Sequence, residues 1–303
     1  MKVGTVPLLR LTAIAVLAAS LTGCGNLADL EYQPPIYPDE WCQQQPCFSV
    51  GDAVLTQPLG TALVFVLAVL WLAAGGYFWF TRAGQKSRGW FGAALALGGI
   101  GAALAGISFQ TFGYMLKCAG RQTCQLTNGF EVGYSISQAV SVSAMVIAVA
   151  FACSLPWART WVVGYAVANI AIYIGITVIG VTQPNATLLS FEMLMLFAVP
   201  GIIIVFVLAL RRFRESRDAR YSTIMWAAVL LVVVQLAYFG YFAAGVTQTL
   251  WANGEGFYFS ENDLLHVGMI LWLGYVVKAV GPRLRDLAAP GDQAAAALSY
   301  RRD

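Results

Sequence analysis

From residue 58 onward, long apolar runs alternate with short breaks that carry charge, seven times in series. The runs cover 58–81, 89–115, 133–155, 160–181, 188–210, 222–247 and 263–281. Each is long enough to cross about 30 Å of hydrocarbon at roughly 1.5 Å per helical residue. The runs are continuous rather than alternating, which excludes the strand pattern of a closed β-barrel. The pattern predicts an all-α polytopic membrane protein, a bundle of seven transmembrane helices over 58–281 with a tail at 282–303. Within the runs, Gly98, Ala102 and Gly106 recur every four residues and predict close helix approach. Pro200-Gly201 predicts a kink in the fifth span.

Composition agrees with this reading. The chain is 59% hydrophobic and 11% charged, with a mean hydropathy of +0.69, against roughly 25% charge in a soluble domain. The charges also orient the bundle. With residue 58 outside, the inner loops and tail take 14 of the 18 basic residues and leave only Lys117 and Arg121 outside, as the positive-inside rule requires. Ten of the 15 acids fall on the outer side. The net charge of +3 therefore reports a membrane orientation and not nucleic-acid binding.

Ahead of the spans, Lys2 and Arg10 precede an apolar stretch that closes on Leu21-Thr22-Gly23-Cys24. Residues 1–23 resemble the signal peptide of a bacterial lipoprotein, with Cys24 at the lipobox position. The resemblance implies cleavage before Cys24, lipid on its thiol, and a multi-pass protein of the bacterial inner membrane anchored on the extracytoplasmic side. Residues 24–57 are polar and proline-bearing, too few to bury a core of their own, and read as an extracytoplasmic tether or a lid over the outer mouth. Cys42, Cys47, Cys118 and Cys124 all fall outside, where disulfides form. The local pairings Cys42–Cys47 and Cys118–Cys124 are favoured over pairing across the two segments. Cys153 reads as a buried free thiol near the inner surface.

Polar residues inside the spans concentrate toward the outer side. Gln138 with Tyr134 and Ser141, Asn169 with Tyr173 and Thr177, and Gln235 with Tyr238 fall at helical spacing, so each set shares a face. Asp263 and His266, the one histidine, stand three residues apart and are close enough to interact. Glu192 and Glu131 lie near the outer ends of their helices. Convergence of Glu131, Glu192, Asp263 and His266 would make an acid cluster suited to proton transfer, cation binding or acid–base catalysis, because ionisable groups inside a membrane are costly and mark function by default.

Seven helices and an outward N-terminus are shared with the microbial rhodopsins, but Lys278 lies at the inner end of the last span, where it cannot hold retinal. The ceramidase-like membrane hydrolases are similar in helix count and in acids and a histidine near late helix ends. Their zinc site needs several histidines, so no metal site is assigned here. No haem, retinal or nucleotide motif is present and the cofactor is left unknown. The expected function is binding, sensing or assembly through an outward polar pocket, with membrane lipids and a small extracytoplasmic ligand or lipid headgroup as partners. The alternatives are a lipid hydrolase or transferase using His266 with Asp263 or Glu192, and, more distantly, a transporter.

Overall fold

The structure, a computed structural model, describes residues 26–252 and 257–287. Cys24, the leader and the end of the tail lie outside the described residues. Seven helices are long and apolar enough to cross a membrane. They are α2 (Pro58–Phe80), α3 (Lys86–Ala105, continued by a π-helical turn, Gly106–Thr111), α5 (Gly129–Cys153), α6 (Pro156–Thr182), α7 (Phe191–Ser216), α8 (Ala219–Ala243) and α10 (Glu261–Tyr275, continued by a π-helical turn, Val276–Val280). A shorter helix, α1 (Pro38–Gln44), and an antiparallel hairpin of β1 (Cys47–Val50) and β2 (Ala53–Thr56) precede them, and the short helices α4 (Gly113–Lys117) and α9 (Val246–Ala252) lie between them.

The helix ends follow local chemistry. Pro58 and Pro156 stand at first-turn positions, where the missing N–H costs nothing. The Asn128 side chain accepts from the backbone N–H groups of Phe130 and Glu131 and starts α5. Asp218 and Ser260 cap α8 and α10 in the same way.

Packing closes these helices into a ring. α2 packs on α3, α3 on α5, α5 on α7, α7 on α8, α8 on α10, and α10 returns to α2, while α6 lies outside the ring against α5. α3 and α5 are the most buried spans, whereas α6, α7 and α8 turn most of their apolar surface outward, as lipid contact demands. The glycines of α3 set the tightest seam. A Cβ at Gly92 would meet the Gly75 carbonyl at 2.8 Å, one at Gly99 the Ala68 carbonyl at 2.9 Å, and one at Gly98 the Trp71 ring at 1.6 Å. Gly98 and Gly106 therefore face α2 as their spacing predicts. α7 remains helical through Pro200, and Gly201 sets it against Val142 and Val146 of α5.

The two ends of the ring differ. At the end carrying Arg88, the guanidinium is buried and donates to the carbonyls of Gly281 and Leu284 and to Thr81 Oγ1. The Asp286 carboxylate there accepts from the backbone N–H groups of Lys86 (2.9 Å) and Ser87 (2.7 Å). At the other end, Cys42 is joined to Cys47 and Cys118 to Cys124, and residues 26–56 pack onto the 118–127 loop. The Cys124 N–H donates to the Ile36 carbonyl (2.8 Å) and the Leu126 N–H to that of Leu30 (2.6 Å). Trp41 is buried against the Cys118–Cys124 pair. A segment this short finds its apolar burial on its neighbour rather than in itself.

Candidate functional site

A cavity of about 720 Å³ lies inside the ring. It runs from Thr127 and Asn262 at the disulfide end to Val280 near the arginine end, a depth of about 27 Å along α10 by helical rise. α2, α3, α5, α7, α8 and α10 all contribute to its wall, and no residue of α6 does. The deep part is apolar, lined by Leu67, Trp71, Phe91, Val149, Ile224 and Trp272; the Trp71 and Trp272 rings stand 5.8 Å apart. The polar wall groups, including Glu131, Gln138, Gln235, Tyr238 and His266, gather toward the disulfide end. Val199 and Ile203 of α7 and Val232, Leu236 and Phe239 of α8 also line it while standing 42–55% exposed, Leu236 64%. These wall residues of α7 and α8 are therefore also exposed on the flank of the bundle.

Its most heavily bonded wall element is a buried ion pair. Lys117 Nζ lies 2.6 Å from Glu131 Oε1, with side-chain exposures of 3% and 8%. The ammonium also donates to Tyr32 Oη (3.1 Å) and to the Leu126 carbonyl (3.0 Å), which uses all three of its protons. Glu131 Oε1 accepts from Ser108 Oγ (2.8 Å), and Ser108 Oγ accepts from Asn128 Nδ2 (2.7 Å). Burial pulls the Lys117 pKa down, but the Glu131 carboxylate and the Tyr32 hydroxyl outweigh it and leave the pKa raised. The apposition depends on a break in α3. The spacing predicts one helix over 89–115, whereas the α-helix stops at Ala105, the π turn ends at Thr111, and α4 turns Lys117 back toward the ring.

The four ionisable groups of the expected cluster do not assemble into one. Glu131 is held by Lys117. Asp263 does not bond His266: its Oδ2 accepts from the Ser260 N–H (2.7 Å) and Oγ (3.0 Å), closing a capping box at the start of α10. Asp263 is fully buried and lies outside the cavity wall. Glu192 is on the wall and exposed. His266 is buried on the wall, and its Nδ1 has no hydrogen-bond partner among the described residues. No group of three or more His, Cys, Asp or Glu among the described residues is placed to hold a metal ion.

The other predicted residues divide between wall and scaffold. Gln138 lines the cavity and donates to the Gly98 carbonyl at 3.4 Å. Gln235 and Tyr238 line it too, Gln235 with an unpartnered Oε1 and Tyr238 beside the Phe191 ring. Asn169 and Tyr173 belong to α6 and serve packing. Asn169 Nδ2 donates to the Phe197 carbonyl (3.2 Å), and the Tyr173 ring lies 5.3 Å from that of Phe197 at a tilt of 59°. Sequence reading passed over Lys117 and Tyr32. The available signal was that Lys117 and Arg121 are the two basic residues of the loop between the second and third apolar runs. The chain matches no protein-family model, no curated protein and no solved structure.

Proposed function

We propose that this protein binds an amphiphilic lipid within the ring, its chain along the apolar depth and its headgroup among Gln138, Gln235, Tyr238 and His266. The observation that carries the reading is a cavity polar at one end and apolar along the rest, whose wall residues on α7 and α8 are also exposed on the flank of the bundle. A lipid that entered at that flank would reach the cavity without leaving hydrocarbon, a route that a water-soluble ligand does not need. Of the two wall acids, Glu131 is neutralised by Lys117 and Glu192 is exposed, so the groups available to a headgroup are amides, a phenol, an imidazole and the Glu192 carboxylate. That set suits a hydroxyl-rich or otherwise uncharged headgroup.

In the same reading, the disulfide end faces the extracytoplasmic side of a bacterial cell membrane and Cys24 carries a lipid anchor. Loop charge, cysteine placement and the resemblance of residues 1–24 to a lipoprotein leader support this. A hydrolase or transferase reading has weaker support, because His266 has no carboxylate bonded to it among the described residues.

Native mass spectrometry of the full chain in mild detergent tests the proposal. The expected result is a stoichiometric co-purifying lipid, together with a lipidated Cys24 as the new N-terminus. Ala228→Trp, which fills the cavity wall, should lose the lipid while keeping the melting midpoint within a few degrees. Retention of the lipid by that variant, or its absence from the wild type, refutes the binding site.

A further inference from the structure

A second polar cluster lies where the chain enters α2, independent of the lipid reading. Gln57 takes a left-handed conformation (φ 47°) just before Pro58. Its Nε2 donates to Gln45 Oε1, which leaves Gln57 Oε1 buried and without a partner among the described residues. Gln110, on the π turn that ends α3, is 2% exposed, and its Oε1 is likewise unpartnered. Asp263 is 0% exposed; its Oδ2 takes both Ser260 donors, and Oδ1 has none. The Asp263 and Gln57 oxygens and the Gln110 side chain meet at Gly60. A Cβ on Gly60 would lie 2.8 Å from Asp263 Oδ1, 3.3 Å from Gln57 Oε1 and 3.2 Å from Gln110 Cγ. Two unpartnered oxygens thus stand within 3.3 Å of one point, with the Gln110 side chain against it and no side chain from residue 60 to fill the space.

Buried acceptors without donors demand a partner. Turning over the Gln57 amide alone would set its oxygen against Gln45 Oε1, and turning both amides together gives Asp263 Oδ1 a neutral N–H donor but leaves the carboxylate charge unbalanced. A single water donates two protons, which leaves one of three acceptors unmet and the carboxylate charge unbalanced. Among the described residues the bases at this end are Lys117, committed to Glu131, Arg121, which is exposed, and His266, which makes no ion pair or hydrogen bond with Asp263. We propose that Asp263 Oδ1, Gln57 Oε1 and Gln110 Oε1 bind a hard monovalent cation of the sodium class. An all-oxygen set excludes soft-metal preference, and one carboxylate with two neutral amides balances one positive charge, where divalent sites gather more carboxylates. The ion joins the β2–α2 junction, the π turn and the start of α10, and so fastens the α2–α10 closure of the ring. Gln110 also lines the cavity, so the ion sits against the polar end of the lipid site.

The test is thermal unfolding of full-length protein in detergent at constant ionic strength, with sodium, lithium, potassium, magnesium or calcium chloride replacing choline chloride. The proposal expects a saturable rise in midpoint of at least about 2 °C with sodium or lithium. The rise should vanish in Gly60→Ala, whose methyl occupies the space, and in Gln110→Leu. Direct binding of radioactive sodium to the wild type, near one ion per chain, reports on the site even where a variant fails to fold. Identical midpoints in sodium and choline with no bound sodium overturn the proposal. So does stabilisation by divalent ions alone, or a midpoint that responds to acidification and to no cation, which would place a proton on Asp263.

Discussion

Replacing Lys117 with Met leaves the Glu131 carboxylate buried without its counter-ion. Exposures of 3% and 8% put the pair in the interior regime, where removing one partner costs about 3–5 kcal/mol, rather than the roughly 0–1 kcal/mol of a surface pair. The loss also strands Tyr32 and the Leu126 carbonyl, both of which the ammonium bonds. The double variant Lys117→Met/Glu131→Gln removes both charges, and the amide oxygen it introduces still accepts from Ser108. It should lie within about 2 kcal/mol of wild type, because a buried pair replaced as a whole is nearly neutral. Denaturant or thermal unfolding in one detergent, read by tryptophan fluorescence, supplies all four corners of the cycle. Trp41, packed in the cap, reports on the region that Lys117 ties down. A single variant within about 0.5 kcal/mol of wild type, or additive effects of the two substitutions, would show that the pair carries no coupling and would refute the assignment.

Three further outcomes are expected. Because the Lys117 pKa is raised above 10.5, its contribution to stability is fully present below about that pH and is lost as pH rises through the folded value. A midpoint that falls well below about pH 10 for reasons traced to Lys117 by the Met variant would contradict this. Gly98→Val should destabilise by about 1–3 kcal/mol or more by driving the Trp71 ring from its seat, while Gly175→Ala, with nothing within 4 Å, stays within about 0.5 kcal/mol. Cys42→Ser/Cys47→Ser should raise hydrogen exchange and protease cleavage over 38–56 while leaving α2 to α10 protected; equal exchange in wild type and variant would mean that the disulfide does not hold the cap.

The length of the continuous apolar runs made the seven spans legible, and four-residue spacing of small residues did the same for the α3 seam, because both depend on residue type along one helix. The inward stripes on α5 and α8 were equally readable: Gln138, Gln235 and Tyr238 all reach the cavity. Asn169 and Tyr173 show the same spacing yet face α5 and α7, since spacing identifies a shared face and not what the face meets. Only the ring order, which leaves α6 outside, separates those cases. The Lys117–Glu131 pair was not legible, because it requires the π turn at Gly106–Thr111 to end α3 early, and no hydropathy pattern marks that change of pitch. For Asp263, the spacing pointed to His266 three residues after it, whereas the structure pairs it with Ser260 three residues before it. The capping box prevailed, since it satisfies two donors at a helix start that would otherwise stay unpaired.

That outcome divides the chemistry of the disulfide end in two. A carboxylate bonded to His266 would have held the imidazole charged and given the cavity an ion pair of its own. With Asp263 committed to Ser260 and turned toward Gly60, its remaining negative charge lies behind the wall, His266 stands on the wall with its Nδ1 unpartnered among the described residues, and of the two wall acids Glu131 is paired with Lys117 while Glu192 is exposed. Gln110 is the one residue common to both halves. If an ion at Gly60 draws Gln110 Oε1 toward itself, its amide protons are turned away from the ion and toward the cavity. Sodium should then tighten lipid binding in the wild type and leave it unchanged in Gln110→Leu, a coupling that native mass spectrometry at two sodium concentrations measures directly. Equal lipid retention at both concentrations in the wild type would mean that the two sites act independently.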